Sequence, residues 1–341
     1  MAEGASGRGS VIPRAEMVPL LTYVLPLLAD CPMAEGEIDG YLAWVGRSAE
    51  LIVVDGSDDE VFEAHHRRWD QFGEHVRPET PGTGKGGGVM TGLRRAGHDR
   101  VVIADDDVRY DRRSLARLAE LLELAEVVRP QNYFDPLPWH ATWDSGRSLV
   151  NRLLDGDWPG TLGVHRSVVL EAGGYAGGVL FENFELCRTV ETVGGCELVA
   201  RDLYVRRLPP TARHFLGQRV RQAYDELARP RRLVVFLLPL PVGLGLAGFR
   251  RWRALGILSA VGVLATVAAA EGGRRCDGAT GYFPFRCSLA APLWLAERSV
   301  CVWLAVLARL RGGVVYRGGR VRRAALSSRN RRAAVEAVRA A

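Results

Sequence analysis

The chain has 341 residues, 45 Lys and Arg, 39 Asp and Glu, and a formal net charge of +6. This length allows two domains, and the moderate charge is no signature of nucleic-acid binding. Lys85 is the only lysine, and the arginines of the first 230 residues form no aromatic-interleaved patch, so we expect no nucleic-acid partner. After Pro230, apolar blocks alternate with arginine clusters, which divides the chain there.

The N-terminal residues 1–15 are rich in small residues, and we predict that they are disordered. The apolar run at 17–29 resembles a signal peptide but is too short to span a membrane. We predict a buried strand over 20–28 instead, which opens a domain over 16–229.

Two further buried strands are predicted from short apolar runs that end in turn residues. The run at 51–54 ends in Asp55-Gly56-Ser57, and the run at 101–104 ends in Asp105-Asp106-Asp107. Helices are predicted over 89–96, behind a glycine-rich turn, and over 114–125, behind Asp111 as the N-cap. Strands that alternate with helices indicate an α/β fold with a mostly parallel sheet.

Both acidic clusters follow strands, and ligands of such sheets bind at the carboxyl ends of the strands. Asp105 and Asp107 form a D-x-D pattern that can hold Mg²⁺ or Mn²⁺ against a diphosphate. Three adjacent aspartates repel each other without a cation, which favours the metal site over a solvated turn. Asp55 can accept hydrogen bonds from a nucleotide, although Asp-Gly is also a common turn pair.

The adjacent histidines His65 and His66, in contrast, are not predicted to form a metal site. On a helix they point about 100° apart and do not easily share one ion. We expect them to be exposed polar residues of a helix.

The chain resembles the family 2 glycosyltransferases in five segments that occur in the family's order. They are 52–57 (IVVDGS), 84–96 (GKGGG running into GLRRA), 105–107 (DDD), 165–186 (HRSVVLEAGGY, then FENFEL) and 218–222 (QRVRQ). The resemblance implies a GT-A fold, a divalent cation at Asp105 and Asp107, and a nucleotide-sugar donor, with UDP as the expected nucleotide. It implies donor contacts from Asp55, Lys85, Asp105, Asp106, Gln218 and Arg221. The last segment is similar to the Q-x-x-R-W motif of membrane-bound members, including ceramide glucosyltransferases.

Two positions depart from the family pattern. The family has Glu-Asp where this chain has Glu182-Asn183, and an amide cannot take up a proton at neutral pH. We predict Glu182 as the catalytic base, with Glu185, one helical turn on, as the alternative. Gln222 replaces the tryptophan of processive members, which argues against processive synthesis.

The segment 82–87 also satisfies the pattern G-x-G-x-x-G, which raises a nucleotide-dependent oxidoreductase as an alternative. A dinucleotide fingerprint follows a buried strand directly, whereas 74–81 is polar and contains two prolines. We interpret the glycine-rich segment as a flexible loop on the donor side, with Lys85 near phosphate.

The C-terminal third is predicted to be associated with a membrane. The stretches 233–249 and 254–270 carry no charge, and we predict a transmembrane hairpin over 230–272. Its tip, with Arg250, Arg251 and Arg253, conflicts with the positive-inside rule, so segments that lie in the interface stay open as an alternative. The stretch 289–310 contains Glu297 and Arg298, which is typical of an interfacial helix, followed within 273–341 by a basic tail.

Together these patterns and the resemblance predict a metal-dependent hexosyltransferase on the cytoplasmic side of the cell membrane, and the resemblance implies that it inverts the anomeric configuration. It moves a sugar from a nucleotide-sugar to a hydroxyl of a lipid or lipid-linked acceptor. The alternatives are the oxidoreductase and a membrane scaffold whose transferase site has decayed at Asn183.

Overall fold

The computed structural model describes residues 20–80, 84–154, 156–174, 179–316 and 319–339. The predicted disordered N-terminus, 1–15, lies outside these residues. Up to residue 229 the described elements are, in order, β1 (Leu21–Leu27), α1 (Glu37–Ser48), β2 (Glu50–Asp55), α2 (Asp59–Trp69), β3 (Glu74–Val76), α3 (Gly84–Arg95), β4 (Arg100–Ala104), β5 (Val108–Arg109), α4 (Arg112–Leu121), β6 (Val127–Phe134), α5 (Trp139–Leu154), β7 (Thr161–His165), α6 (Arg166–Glu171), α7 (Glu182–Thr192), β8 (Glu197–Arg207), α8 (Ala212–Gly217) and α9 (Arg219–Tyr224).

The strands β1 to β8 form one sheet in the order β3-β2-β1-β4-β7-β6-β8-β5. Strands β1 to β4 pair in parallel, and β7 runs antiparallel to both of its neighbours, β4 and β6. Helices α1 and α4 cover one face of the sheet, where Leu42 and Leu115 are completely buried. Helices α3, α6 and α7 cover the other face through Leu93, Val169 and Val190. The predicted α/β fold with a mostly parallel sheet is confirmed.

The local predictions hold for three strands and two helices: α4, and α3, which contains all but the last residue of the predicted helix 89–96. Strands β1, β2 and β4 lie at the predicted positions, and Asp111 caps α4 by accepting a hydrogen bond from the Ser114 backbone N–H at 2.7 Å. The helix ends at Leu121, four residues before the predicted end at 125. Beyond it the chain continues in tighter turns, in which the Glu123 and Leu124 N–H groups donate to carbonyls three residues back.

The prediction of a flexible glycine-rich loop is wrong for its described part, because helix α3 begins at Gly84. The glycines allow α3 to lie close to β1: a Cβ atom at Gly88 would be 3.3 Å from Pro26 Cβ, and one at Gly92 would overlap the Val24 side chain. Tight packing against the sheet therefore offsets the low helix propensity of glycine. Residues 82 and 83, the start of the predicted loop, lie outside the described residues.

After residue 229 the chain forms mainly apolar helices. The described elements are α10 (Pro230–Leu237), α11 (Pro239–Gly248), α12 (Trp252–Arg275), α13 (Phe285–Leu310), the two-stranded hairpin β9 (Val314–Tyr316) and β10 (Gly319–Val321), and α14 (Ser328–Arg339). Three helical segments are long and apolar enough to cross a membrane: Pro230–Gly248, Trp252–Arg275 and Phe285–Leu310. Of their most apolar windows, 6%, 11% and 44% respectively are buried inside the protein, so α13 is the most enclosed of the three segments.

Helix α5 joins the sheet domain to the apolar helices at two close crossings. A Cβ atom at Gly146 would lie 2.7 Å from the backbone nitrogen of Ala291 in α13, and one at Gly273 in α12 would overlap the Leu149 carbonyl oxygen. Backbone atoms cannot move aside as a flexible side chain can. Both glycines are therefore required for the helices to approach this closely.

We expect Gly273→Ala to destabilise the protein by about 1–3 kcal/mol, the usual cost of overpacking, because α5 and α12 must separate. The measurement is the thermal unfolding midpoint of the purified protein in detergent. Gly262→Ala is the matched control in the same helix, since a Cβ atom there meets nothing within 4 Å. Equal midpoints for the two variants would contradict the close crossing.

Candidate active site

The D-x-D turn is fixed between β4 and β5. The Asp105 backbone N–H donates to the Gly160 carbonyl at 2.8 Å, and the Val108 N–H donates to the Asp105 carbonyl at 3.0 Å. Strand β8 returns beside this turn, where the Leu208 N–H donates to the Asp107 carbonyl at 2.8 Å. The backbone thus holds the carboxylates of Asp105 and Asp107 at one edge of the sheet.

Two cationic side chains contact these carboxylates. The Lys85 ammonium lies 2.5 Å from Asp105 Oδ1. Arg207, at the end of β8, places its Nε 2.9 Å from Asp107 Oδ2 and its terminal nitrogen 3.5 Å from Asp105 Oδ2. Gly160 provides the room, because a Cβ atom there would lie 2.7 Å from Asp105 Oδ2 and 3.0 Å from Arg207 Cζ.

The two carboxylates differ electrostatically. Burial favours the neutral form of Asp105, but Lys85 and Arg207 outweigh it and lower the pKa of this carboxyl. Burial raises the pKa of Asp107 above its usual value, and the neighbouring Asp105 charge adds to this effect against the opposing Arg207. The cations therefore compensate Asp105 more completely than Asp107.

The carboxylates of the D-x-D turn are suitable ligands for a divalent cation. Asp107 Oδ1 is buried and has no hydrogen-bond partner among the described residues. It is a hard oxygen ligand beside a second carboxylate, the donor type that Mg²⁺ and Mn²⁺ prefer. Asp105 and Asp107 are the residues that would hold such an ion. The neighbouring Asp106 is in the same turn, and its backbone carbonyl accepts a hydrogen bond from Arg109 at 2.7 Å.

The segment predicted to carry the base lies close to this turn. Asn183 Nδ2 donates to the Pro159 carbonyl at 2.8 Å. The next residue, Gly160, is the one whose carbonyl accepts the Asp105 N–H. Glu182 is the first residue of α7 and is partly exposed. The structure therefore brings Glu182 to the same edge of the sheet as the D-x-D turn.

Glu185 has a different environment. Its carboxylate is completely buried, forms a two-oxygen pair with Arg331 of α14 at 2.8 and 3.1 Å, and accepts the Leu326 backbone N–H at 2.9 Å. Three donors hold this carboxylate in place, and its complete burial shields it from an acceptor hydroxyl. This geometry favours Glu182 over Glu185 as the base, and the assignment itself stays a prediction.

Two predicted donor-binding residues, Gln218 between α8 and α9 and Arg221 in α9, differ in their surroundings. Arg221 is close enough to Asp105 to contribute to lowering the pKa of its carboxyl. The Gln218 side chain hydrogen-bonds His214 and lines a surface cavity of about 500 Å³ with Thr211 and Gly217. No hydrogen bond between Gln218 and the acidic turn is present in the described part of the chain.

Asp55 is buried at the end of β2, where neighbouring residues hydrogen-bond to both of its carboxylate oxygens. Oδ1 accepts the Ser57 N–H at 2.9 Å, and Oδ2 lies 2.7 Å from His65 Nδ1 and 3.4 Å from His75 Nε2. Burial alone would raise the pKa of this carboxyl, but His75, Ser57 and His65 lower it to about 2. Contact with a nucleotide would require Asp55 to exchange one of these partners, so its donor role stays a prediction.

The expectation that His65 is exposed is wrong, since its side chain is completely buried against Asp55. The carboxylate and the two histidines are close enough to hold a metal ion. However, the Met33 backbone N–H donates to His65 Nε2 at 3.0 Å, which places the ring proton on Nδ1, toward Asp55. The cluster is therefore satisfied as a hydrogen-bonded network, and we assign no ion to it.

The sequence did not point to Arg207 or His75. Arg207 is 100 residues from its partner Asp107, and an arginine at the end of a strand carries no local signal of such a contact. His75 lies in a three-residue strand at the edge of the sheet, where the pattern is too short to predict. Both contacts depend on the sheet order.

Comparison with known proteins gives a family for the part of the chain that carries the acidic turn. Residues 46–161 match the family model "Glycosyl transferase family 2". The resemblance to this family is confirmed. Together with the observed sheet, the match confirms the GT-A fold class, whereas the likeness to the ceramide glucosyltransferase branch stays a prediction.

Solved structures show weaker similarities. A mannosyltransferase, PcManGT from Pyrobaculum calidifontis, solved with GDP-Man and Mn²⁺, is 19% identical over 83% of this chain and 87% of that chain, with a TM-score of 0.48. Glucosyl-3-phosphoglycerate synthase from Mycobacterium tuberculosis, solved with phosphoglyceric acid, is 22% identical over 57% of this chain and 74% of that one, with a TM-score of 0.40. At these values neither structure bears on the activity of this chain. No curated protein sequence matches the chain significantly.

Proposed function

We propose that the chain is an inverting hexosyltransferase that moves a sugar from a nucleotide-sugar, with UDP as the expected nucleotide, to a hydroxyl of a lipid or lipid-linked acceptor. The observation that carries the proposal is the D-x-D turn, with an unpartnered buried oxygen on Asp107, inside the segment that matches the family. A decayed scaffold is disfavoured by the intact carboxylates of this turn. The oxidoreductase is disfavoured because a dinucleotide-binding fingerprint follows its strand directly, whereas β3 ends at Val76 and α3 begins only at Gly84.

In the proposed mechanism, Asp105 and Asp107 would hold a divalent cation, which would supply positive charge to the donor diphosphate and so make it a better leaving group. Lys85, which contacts Asp105, and Arg221, whose charge acts on Asp105, stabilise the negative charge that develops on the diphosphate. Arg207 holds both carboxylates in position. Glu182 accepts the proton of the acceptor hydroxyl as its oxygen attacks the anomeric carbon in line, which inverts the configuration.

The direct test is turnover of a panel of nucleotide-sugars by the purified protein in detergent, with a lipid extract as acceptor and Mn²⁺ or Mg²⁺ present. We expect release of a nucleoside diphosphate from one donor, a labelled sugar in the lipid phase, and no turnover in chelator. Turnover that persists unchanged in chelator, or a donor that is oxidised or reduced rather than cleaved, would contradict the proposal.

We also propose that α10, α11 and α12 form a membrane hairpin while α13 lies against the sheet domain at the interface. The tail supports this arrangement because it returns to the sheet domain: Arg331 pairs with Glu185, and the Tyr224 hydroxyl donates to the Arg322 carbonyl at 2.7 Å. The chain must therefore cross the bilayer an even number of times between Tyr224 and Arg322. Two crossings by the exposed helices satisfy this condition, and three do not.

The charges in α13 are consistent with this position. The side chains of Glu297 and Arg298 are 9% and 2% exposed respectively, so they face the protein interior. Leu293, Leu304 and Leu307 of the same helix are exposed. The helix thus presents an apolar outer face to lipid although its sequence contains two adjacent charges. We place the sheet domain on the cytoplasmic side of the cell membrane.

We expect the protein to stay in the membrane fraction through carbonate and high-salt washes, because burial of two apolar helices is not screened by salt. Immunoblots of the washed membranes measure this. Release by high salt alone would show that the arginines, rather than the helices, attach the protein.

A further inference from the structure

The C-terminal tail pairs with the chain directly before Glu182. After the hairpin of β9 and β10 the chain runs back to the sheet domain, where the Leu180 N–H donates to the Arg323 carbonyl at 3.1 Å. The Phe181 N–H donates to the Ala324 carbonyl at 2.9 Å, and the two segments run in parallel. Two backbone hydrogen bonds therefore hold the two residues that precede Glu182.

The same tail also holds the residue that lies three positions after Glu182. The Glu185 carboxylate accepts the Arg331 guanidinium at 2.8 and 3.1 Å and the Leu326 N–H at 2.9 Å. Arg331 in turn donates to the Leu326 carbonyl at 3.0 Å, and both charged side chains are buried. Residues 322–331, which we call the tail segment, thus contact the chain on both sides of Glu182.

The contact is apolar as well as polar. Leu180 and Ala324 belong to one buried cluster with Ala223 of α9, Ala305 of α13 and Val314 of β9. Ala324 is 6% exposed, so a larger or charged side chain there cannot be accommodated unless the tail segment moves. Because α10 to α13 lie between α9 and the tail in sequence, these helices must return the chain to the sheet domain before the cluster can form.

The donor side of the site is separate from the tail segment. Asp105 contacts Lys85 and Arg207, and Asp107 pairs with Arg207. Among the described residues, no hydrogen bond or ion pair joins either aspartate to 322–331. Undocking of the tail would therefore disturb the predicted base and leave the diphosphate-binding residues in place.

We propose that the docked tail segment positions Glu182 for proton transfer and so completes the acceptor side of the site. The tail segment is a positioning element and touches no substrate. This inference rests on the proposed function, in which Glu182 is the base. It adds that the apolar helices must have returned the chain to the sheet domain before the base is in place.

The test variant is Ala324→Glu in the full-length protein in detergent, which puts a charged side chain at the buried contact with Leu180. Ala333→Glu is the matched control, because Ala333 is exposed on α14. Hydrogen–deuterium exchange, measured without donor or metal, should be faster in Ala324→Glu than in the control, both at 322–331 and at 179–186. If Ala324→Glu does not fold, Ala324→Val overpacks the same contact and should give the same changes at a smaller size.

The kinetic test separates positioning from general loss of structure. The single-turnover rate of transfer should fall about 100-fold in Ala324→Glu, because displacement of a catalytic group by about 1 Å has an effect of this size. Donor affinity should stay within about twofold of the wild type, since the loss is confined to the transition state. In the Glu182→Gln background, Ala324→Glu should cause no further loss, because the tail acts through Glu182. Glu185→Gln is not an undocking variant, since glutamine can still accept the Leu326 N–H.

Three results would overturn the proposal. The first is a tail segment that exchanges faster in Ala324→Glu while 179–186 keep the protection of the wild type. The second is a tail segment that keeps its own protection despite the buried charge, and the third is an equal loss of rate in the Glu182→Gln background. If the wild-type protein transfers no sugar, the proposed function fails, whereas the exchange data still show whether the tail orders the segment around Glu182.

Discussion

Replacement of Asp107 by alanine is expected to reduce metal-dependent turnover of the nucleotide-sugar about 100-fold or more while the protein stays folded. The variant removes the one carboxylate of the turn that has an unpartnered buried oxygen. A metal acting as a Lewis acid contributes several kcal/mol of charge stabilisation, and each 1.36 kcal/mol corresponds to a factor of about ten in rate. The measurement is release of nucleoside diphosphate as a function of Mn²⁺ concentration.

The control for this variant is Asp202→Ala, which removes an exposed carboxylate from β8 of the same domain. It should leave both turnover and its dependence on Mn²⁺ unchanged. The far-ultraviolet circular dichroism of both variants should match the wild type, because neither side chain belongs to the apolar core. If Asp107→Ala turns over at the wild-type rate, the metal assignment is wrong.

Replacement of Glu182 by glutamine is expected to lower the rate of transfer by about two to four orders of magnitude, the usual contribution of a general base. Glutamine keeps the shape of the side chain but cannot take up a proton. Donor affinity should be nearly unchanged, because the loss is confined to the transition state. Single-turnover rates and donor dissociation constants, measured on the same preparation, separate the two effects.

Glu185→Gln is the contrasting variant. Its carboxylate pairs with Arg331, so the substitution leaves a buried guanidinium without its counter-ion. We expect a lower unfolding midpoint but a transfer rate within about tenfold of the wild type at temperatures where the variant is folded, since removal of a group that does not act in the transition state has little effect on kcat. A loss of rate in this variant together with normal turnover by Glu182→Gln would move the base one helical turn along α7.

The local features of the sheet domain could be predicted from the sequence because each depends on neighbouring residues. Strands β1, β2 and β4 are short apolar runs bounded by turns, and Asp111 caps α4 by a hydrogen bond to a residue three positions on. The acidic turn after β4 could be located for the same reason. Periodicity and turn chemistry are sufficient for these features.

The remaining features depend on contacts between distant residues. The glycines of α3 resemble a loop until the sheet brings Val24 and Pro26 against them. The pairs Asp107–Arg207 and Glu185–Arg331 join residues 100 and 146 positions apart, so no local pattern indicates them. The distribution of burial around α13 likewise becomes visible only when α5 and α9 pack against it.

If Asp105 and Asp107 hold a divalent cation that binds the diphosphate of a nucleotide-sugar, nucleotide affinity must depend on that ion. Titration calorimetry of the purified protein with UDP and GDP, in Mn²⁺ and in chelator, measures this dependence. We expect one nucleotide to bind in Mn²⁺ and to lose at least about 100-fold in affinity in chelator or in Asp107→Asn, since several kcal/mol of interaction are removed. Equal affinity in Mn²⁺ and in chelator, with Asp107→Asn indistinguishable from the wild type, would show that these aspartates do not bind the diphosphate through a cation.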